Sequence, residues 1–204
     1  MLHDCNAGSS VVDREQAVDV SRWRKAERER LIARRLNMSA HDRSSQTQAI
    51  ARTLHEIITP APTTIVSVYW PIRGEPDLRS WMSEISGRGV RVALPIALAI
   101  GQPLQFREWL PSARLVRGLW KIPYPADGEE VLPTIVIAPV VGFDSAGYRL
   151  GYGGGFFDRT LAALTPETTA IGVGFADAAL ATIYPQPYDI PMHRIVTGIQ
   201  SIRT

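Results

Sequence analysis

Arg149-Leu-Gly-Tyr-Gly-Gly-Gly-Phe-Phe-Asp-Arg159 places four glycines in the five positions from Gly151 to Gly155. Upstream, Thr134 to Val141 (TIVIAPVV) is a short β-branched apolar run of the kind that makes a buried strand; downstream, Phe156 to Leu164 reads as a helix. The order strand, glycine-rich loop, helix predicts a phosphate cradle. Glycine lets the backbone adopt positive φ and approach a ligand, and the free N–H groups of the helix start then point at an anion. Arg149 and Arg159 flank the loop with charge.

Working outward, the chain alternates. Helical patterns fill Arg22 to Asn37 and Ala40 to Ile58, the second with Ser39 as N-cap. Strands are predicted at Thr64 to Trp70, Val90 to Leu94, Thr134 to Val141, Ala170 to Phe175 and Ile195 to Thr197, with helices at Asp77 to Ser86 and Phe156 to Leu164. The Pro-rich stretch Pro95 to Pro133 predicts an excursion or short hairpin. The expected fold class is α/β: a single three-layer domain, a mostly parallel sheet flanked by helices. Ligands of such sheets bind beyond the carboxyl ends of strands, where both YWPIRGE and the glycine segment begin.

Two other phosphate motifs were weighed. A Walker A loop ends in Gly-Lys-Ser/Thr, and Lys25 and Lys121 are the only lysines of the chain. A dinucleotide fingerprint finds an acid, Asp177, about twenty residues beyond Gly155. Its GxGxxG spacing is absent, however, and Gly142 to Tyr148 stands where it needs a tight turn. A surface loop without a ligand stays open on composition alone.

The 204 residues, 45% hydrophobic, suffice for a substantial core. No apolar run approaches the roughly 18–20 residues of a membrane span, and the start lacks a secretory apolar core, so the expectation is a cytoplasmic protein without a membrane partner. Residues 1–21 read as a leader whose composition leaves disorder open, and residues 22–204 as the domain. Cys5, the one cysteine, excludes an intramolecular disulfide and a cysteine metal cluster. The net charge of +2 does not argue for nucleic acid, but Arg22, Arg24, Lys25, Arg28, Arg30, Arg34 and Arg35 crowd into fourteen residues. Composition alone favours a solvated helix face. Arg24 and Arg28, four apart, share one face and could converge on a triphosphate.

The chain resembles the 5-formyltetrahydrofolate cyclo-ligase (5,10-methenyltetrahydrofolate synthetase) family from about Arg22 to about Gly198. Five segments carry the resemblance, in the family's order: RWRKAERERLIARRLNMS, YWPIRGEPDL, LWKIPYP, APVVGFDSAGYRLGYGGGFFDR and YPQPYDIPMHRIVT. It implies an ATP-dependent ligase in which ATP activates the formyl oxygen of 5-formyltetrahydrofolate, N10 closes on the activated carbon, and phosphate leaves. ATP is then bound by Arg24, Lys25, Arg28, Arg149, Leu150, Gly151, Gly153, Gly154, Gly155, Phe156 and Phe157. The folate falls to Trp70, Glu75, Trp120, Tyr152 and Phe156, with Arg149 and Tyr152 as catalytic residues. Mg2+ is the implied cofactor, with Asp158 and Asp189 as its ligands. The implied partners are 5-formyltetrahydrofolate, with polyglutamylated forms left open, and ATP, acting on a monomer. Where many members carry a second Asp four positions after Asp189, this chain has His193; where some carry a loop lysine, it has Gly154. Two other classes stay open: a non-catalytic nucleotide or folate binder, and a basic-helix nucleic-acid binder.

Overall fold

In the computed structural model, which describes residues 7–199 and 201–203, the helix α1 (Ala7–Leu36) runs straight through the boundary expected between Ser21 and Arg22. Residues 1–6, with Cys5, lie outside the described residues. After a tight turn comes α2 (Ala40–Ile57), where the Ser39 hydroxyl accepts the Asp42 N–H at 3.0 Å, so the expected N-cap is present.

The sheet is built from β1 (Ile65–Ser67), β2 (Arg91–Ile96), β3 (Gln105–Trp109), β6 (Ile135–Pro139), β9 (Thr169–Val173), β10 (Arg194–Val196) and β11 (Ser201–Arg203). Its order is β11-β10-β9-β6-β1-β2-β3. The five inner strands are parallel; β3 and β11 close the edges antiparallel. Outside it stand two small hairpins, β4 (Leu115–Arg117) with β5 (Pro123–Pro125), and β7 (Gly142–Phe143) with β8 (Arg149–Leu150). The Pro-rich excursion thus holds an edge strand and a hairpin.

Helices cover both faces, giving the expected three layers. On one side α2 and α3 (Arg79–Gly87) pack Ile50, Leu54, Trp81, Met82 and Ile85 onto Val66, Val92, Ile137 and Val173. On the other, Phe157 and Leu161 of α4 (Phe156–Ala163) meet Ala138, Val140 and Ala170. Along β6 the side chains Ile135, Val136, Ile137 and Ala138 alternate between the two faces, as the two-residue period of a strand requires. Among the described residues no helix is long and apolar enough to cross a membrane.

Two boundaries shift for reasons that bear on the site. The strand expected to run to Trp70 stops at Ser67, because the chain bends away toward a turn where Arg73 (φ 46°) and Gly74 (φ 76°) are both left-handed and the Glu75 N–H returns to Ile72 O at 3.0 Å. The glycine loop does not follow the sheet strand directly. The β7–β8 hairpin intervenes, so the strand of the strand-loop-helix motif is β8.

The strand order reverses at β1: chain progress to β2 goes one way, and β6 lies on the other side. Such a switch point opens a crevice at the strand carboxyl ends. The segment carrying Glu75 leaves β1 there, and the hairpin carrying the glycine loop leaves β6.

Close packing over this sheet is testable at Gly172. A Cβ there would stand 2.5 Å from Ile195 Cδ1, 3.1 Å from Val140 Cγ1 and 3.2 Å from Met192 Cγ, all in a buried cluster. Gly172→Ala is expected to destabilise by about 1–3 kcal/mol, as overpacking of a filled core does. A urea midpoint equal to wild type would contradict that packing.

Candidate functional site

A cavity of about 650 Å3 lies at the switch point, lined from α1, the β1 and β2 ends, the β4–β5 hairpin, the glycine loop and the 188–189 segment. The end expected to receive phosphate is built from glycines. Gly153 (φ 92°) and Gly155 (φ 62°) hold left-handed backbone that a side chain would strain, and Gly155 stands at the N-cap of α4. Arg28 donates from Nε to Gly151 O at 2.8 Å, and its guanidinium carbon lies 3.3 Å from where a Gly153 Cβ would stand. Half-burial, followed by the nearby Arg24 charge, lowers the Arg28 pKa from its ordinary value.

Two arginines are buried behind this surface, each with its own carboxylate. Arg24 forks onto Asp189, Nη2 to Oδ2 at 2.5 Å and Nη1 to Oδ1 at 3.3 Å, and also donates to Ile183 O and Tyr184 O. Arg149 pairs with Asp158 at 3.0 Å, and Ile190 joins both, its carbonyl accepting from Arg149 and its N–H donating to Asp158 Oδ1. Burial lowers the Arg149 pKa, while the Asp158 charge opposes that shift.

The other end of the cavity is aromatic with one carboxylate. Trp70, Trp120, Tyr152 and Phe156 line it around Glu75. Trp120 meets the Phe156 ring edge-on, centroids 5.3 Å apart, from a strained hairpin tip where Trp120 (φ 53°) and Lys121 (φ 60°) are both left-handed. Glu75 is 3% exposed; its Oε1 accepts from the Tyr152 hydroxyl at 2.7 Å and its Oε2 from Ile72 N–H at 2.8 Å. Burial raises its pKa, with those two hydrogen bonds and the Arg35 and Arg73 charges pulling the other way. A raised folded pKa means the native state holds its proton to higher pH than the unfolded chain. The ionised form therefore costs stability as pH rises out of the ordinary carboxylate range. Burial also raises the Tyr152 pKa, so its hydroxyl stays protonated and able to donate.

Most of the expected residues line this one cavity, with three differences. Lys25 is exposed and does not line it, because it sits a quarter-turn off the Arg24 and Arg28 stripe. The Leu150 side chain is 1% exposed and packed with Leu31, Val141 and Ile183, leaving only its main chain to meet a ligand. Asp158 and Asp189, expected as metal ligands, have their oxygens committed to Arg149, Arg24 and backbone N–H groups. Among the described residues no three His, Cys, Asp or Glu side chains converge as a metal site. The donor set does not fit a resident ion held by protein alone. His193 is exposed, and its ring Nδ1 accepts the Ala170 N–H at 2.9 Å, a side-chain contact to β9 made just before β10 begins.

Arg35 and Arg73 were missed. Arg35 is buried and donates to the Tyr152 hydroxyl at 2.5 Å. The signal was present: Arg24, Arg28, Leu31 and Arg35 are spaced four, three and four, one stripe of a helix. That stripe faces the protein, while Arg30 and Arg34 on other faces pair with Glu27 and Asp177. The solvated-face reading therefore fails for the stripe, and the helix does not present it as a nucleic-acid footprint.

A glycine loop at a helix start and an aromatic slot with one carboxylate thus share one crevice at the carboxyl ends of an α/β sheet, the place of an enzyme cleft in such folds. Residues 20–198 match the model of the 5-formyltetrahydrofolate cyclo-ligase family, to which the chain belongs. The 5-formyltetrahydrofolate cyclo-ligase of Escherichia coli K12 is 37% identical over 141 residues, covering 65% of this chain and 76% of its own. That of Mycolicibacterium smegmatis is 31% identical over 149 residues, 68% and 77%. The NMR structure of Aquifex aeolicus 5,10-methenyltetrahydrofolate synthetase superposes with TM-score 0.77 at 26% identity, over 88% of this chain and 92% of that one.

The Arg24–Asp189 pair carries a direct expectation. Each side chain is 8% exposed. Asp189→Asn leaves the Arg24 charge buried without its counter-ion and should destabilise by about 3–5 kcal/mol. Denaturant unfolding checks this; a loss below about 1 kcal/mol is what a surface pair would give.

Proposed function

We propose that this cleft converts 5-formyltetrahydrofolate and ATP to 5,10-methenyltetrahydrofolate, ADP and phosphate. The formyl oxygen attacks the γ-phosphorus and ADP leaves. N10 then adds to the activated carbon and loses its proton, and the oxygen departs as phosphate. The observation that carries this reading is the placement of the glycine loop and Glu75 in one cavity, so that a phosphoryl group and a pterin can meet.

Each residue then has work its geometry supports. The N–H groups of the Gly153 to Gly155 segment and the start of α4 receive phosphate oxygens. Arg28, half-buried beside Gly153, adds a charge-assisted contact where negative charge develops. Arg149, neutralised by Asp158, keeps a fixed dipole under the loop, and Arg24 with Asp189 holds the 183–189 segment against α1. Glu75 accepts hydrogen bonds from pterin N–H donors, and Trp70, Trp120 and Phe156 supply flat apolar faces for the ring. With Asp158 and Asp189 held by arginines, magnesium would be bound chiefly by the nucleotide and would supply charge neutralisation to its phosphates. All these side chains come from one chain, so the reading needs no second copy.

The discriminating experiment is paired. Arg28→Ala removes a charged contact worth roughly 1.5–3 kcal/mol, so KM for ATP should rise about tenfold or more while folate binding measured without nucleotide stays put. Arg30→Ala, on another helix face and paired only with Glu27, supplies the control. Formation of the methenyl product, followed optically with and without ATP, reports both. Equal, small effects from the two substitutions would remove Arg28 from the site.

A further inference from the structure

Arg35 is 6% exposed, and two segments far apart in the chain converge on it. Its Nε donates to Arg73 O at 3.0 Å, in the turn that carries Glu75. Its Nη2 donates to the Tyr152 hydroxyl, in the glycine loop, at 2.5 Å, and the guanidinium carbon lies 5.8 Å from that ring's centroid. Arginine has no lone pair to offer. The hydroxyl therefore accepts from Arg35 and must send its own proton onward, to Glu75 Oε1 at 2.7 Å. The relay has one direction: Arg35 to Tyr152 to Glu75.

We infer that Arg35 is a positioning residue that, through the Tyr152 hydroxyl and the Arg73 carbonyl, fixes the orientation of Glu75 toward the second substrate. The inference rests on the reading that Glu75 meets the pterin. Glu75 accepts on both oxygens, so its remaining lone pairs point where these two anchors leave them, into the cavity. Were Arg35 absent, the Tyr152 hydroxyl could rotate and the carboxylate would lose its reference. The phosphate side does not depend on this contact, because Arg28 holds Gly151 O independently.

A merely structural arginine would show itself in stability alone. Arg35→Met, Tyr152→Phe and the double variant are to be compared for kcat, for KM of each substrate and for the pH profile, with thermal melting as the folding check. Either single change should raise the folate KM about tenfold, the scale of one charge-assisted hydrogen bond, and leave the ATP KM near wild type. Because Tyr152→Phe removes only a hydroxyl that Arg35 also holds, while Arg35→Met loses the Arg73 contact as well, the double variant should be no worse than Arg35→Met alone. The groups facing Glu75 are Arg35, Arg73, Tyr69, Tyr152 and the Ile72 N–H. The Arg35 charge lowers the Glu75 pKa, so Arg35→Met should move the acid limb of kcat/KM for the folate to higher pH. Multiplying KM effects, or a lower melting temperature with unchanged folate KM and pH limb, would overturn the inference. Tyr152→Phe sits in the loop and tests the hydroxyl even where Arg35→Met does not fold; an unchanged folate KM there overturns it equally. Glu75→Gln separates the two levels: with no effect on folate KM, the site reading itself fails.

Discussion

Buried arginine is the constraint on which the rest of this structure depends. Arg24, Arg35 and Arg149 are each less than a tenth exposed, and a charge taken out of water must find partners or the fold does not hold. Apart from Asp158, which follows Arg149 across the glycine loop, the partners come from distant segments. Arg24 takes Asp189 and two carbonyls across about 160 residues of chain, Arg149 takes Asp158 and Ile190, and Arg35 takes the Arg73 carbonyl and the Tyr152 hydroxyl. Geometric demands on so few donors are tight, so satisfying them sets the register of α1 against everything it crosses. Apolar contacts under that helix, Leu31 and Ile32 in a cluster with Val141, Leu150 and Ile183 and Trp23 edge-on to Tyr184, act alongside those hydrogen bonds.

The sheet supplies the second half of the argument. Its core is made of short, fully buried parallel strands, which must send their connections out at the carboxyl ends. At β1 and β6 those exits diverge around a crevice, and both carry left-handed backbone: Arg73 and Gly74 in one, Gly153 and Gly155 in the other. The strands thus bring two loops with left-handed backbone to one place. The arginine stripe of α1 then crosses both loops, Arg28 binding Gly151 O and Arg35 binding Arg73 O, and turns proximity into a defined cavity.

Much of this was legible in the sequence, and the parts that were not have physical reasons. The β-branched runs announced the inner strands, Ser39 announced its cap, and the glycines between Arg149 and Phe156 announced the loop that leads into α4. Each of those signals is local. Strand β3 and the β7–β8 hairpin carry weak local patterns and exist because of neighbours supplied from elsewhere. The same division runs through the site. Composition placed the basic helix in solvent because it weighed charge number, whereas burial followed the four-three-four spacing of Arg24, Arg28, Leu31 and Arg35. Nothing local distinguishes an aspartate that will bind a metal from one that will neutralise an arginine; that depends on which cation the fold delivers first.

For Asp158 and Asp189 the fold delivers guanidinium, and this bears on how the cleft receives its substrates. Around the cavity five arginines, Arg24, Arg28, Arg35, Arg73 and Arg149, face three carboxylates, Glu75, Asp158 and Asp189. Two of the carboxylates are consumed by Arg24 and Arg149, and Glu75 is tied to Arg35 through a hydroxyl. The unspent positive charge is carried by Arg28, half-buried beside the glycine loop, with Arg73 above the Tyr152 ring. A low-dielectric cleft with surplus positive charge favours a polyanion over a bare cation. Under that field the two aspartates hold the buried Arg24 and Arg149 guanidinium groups in place.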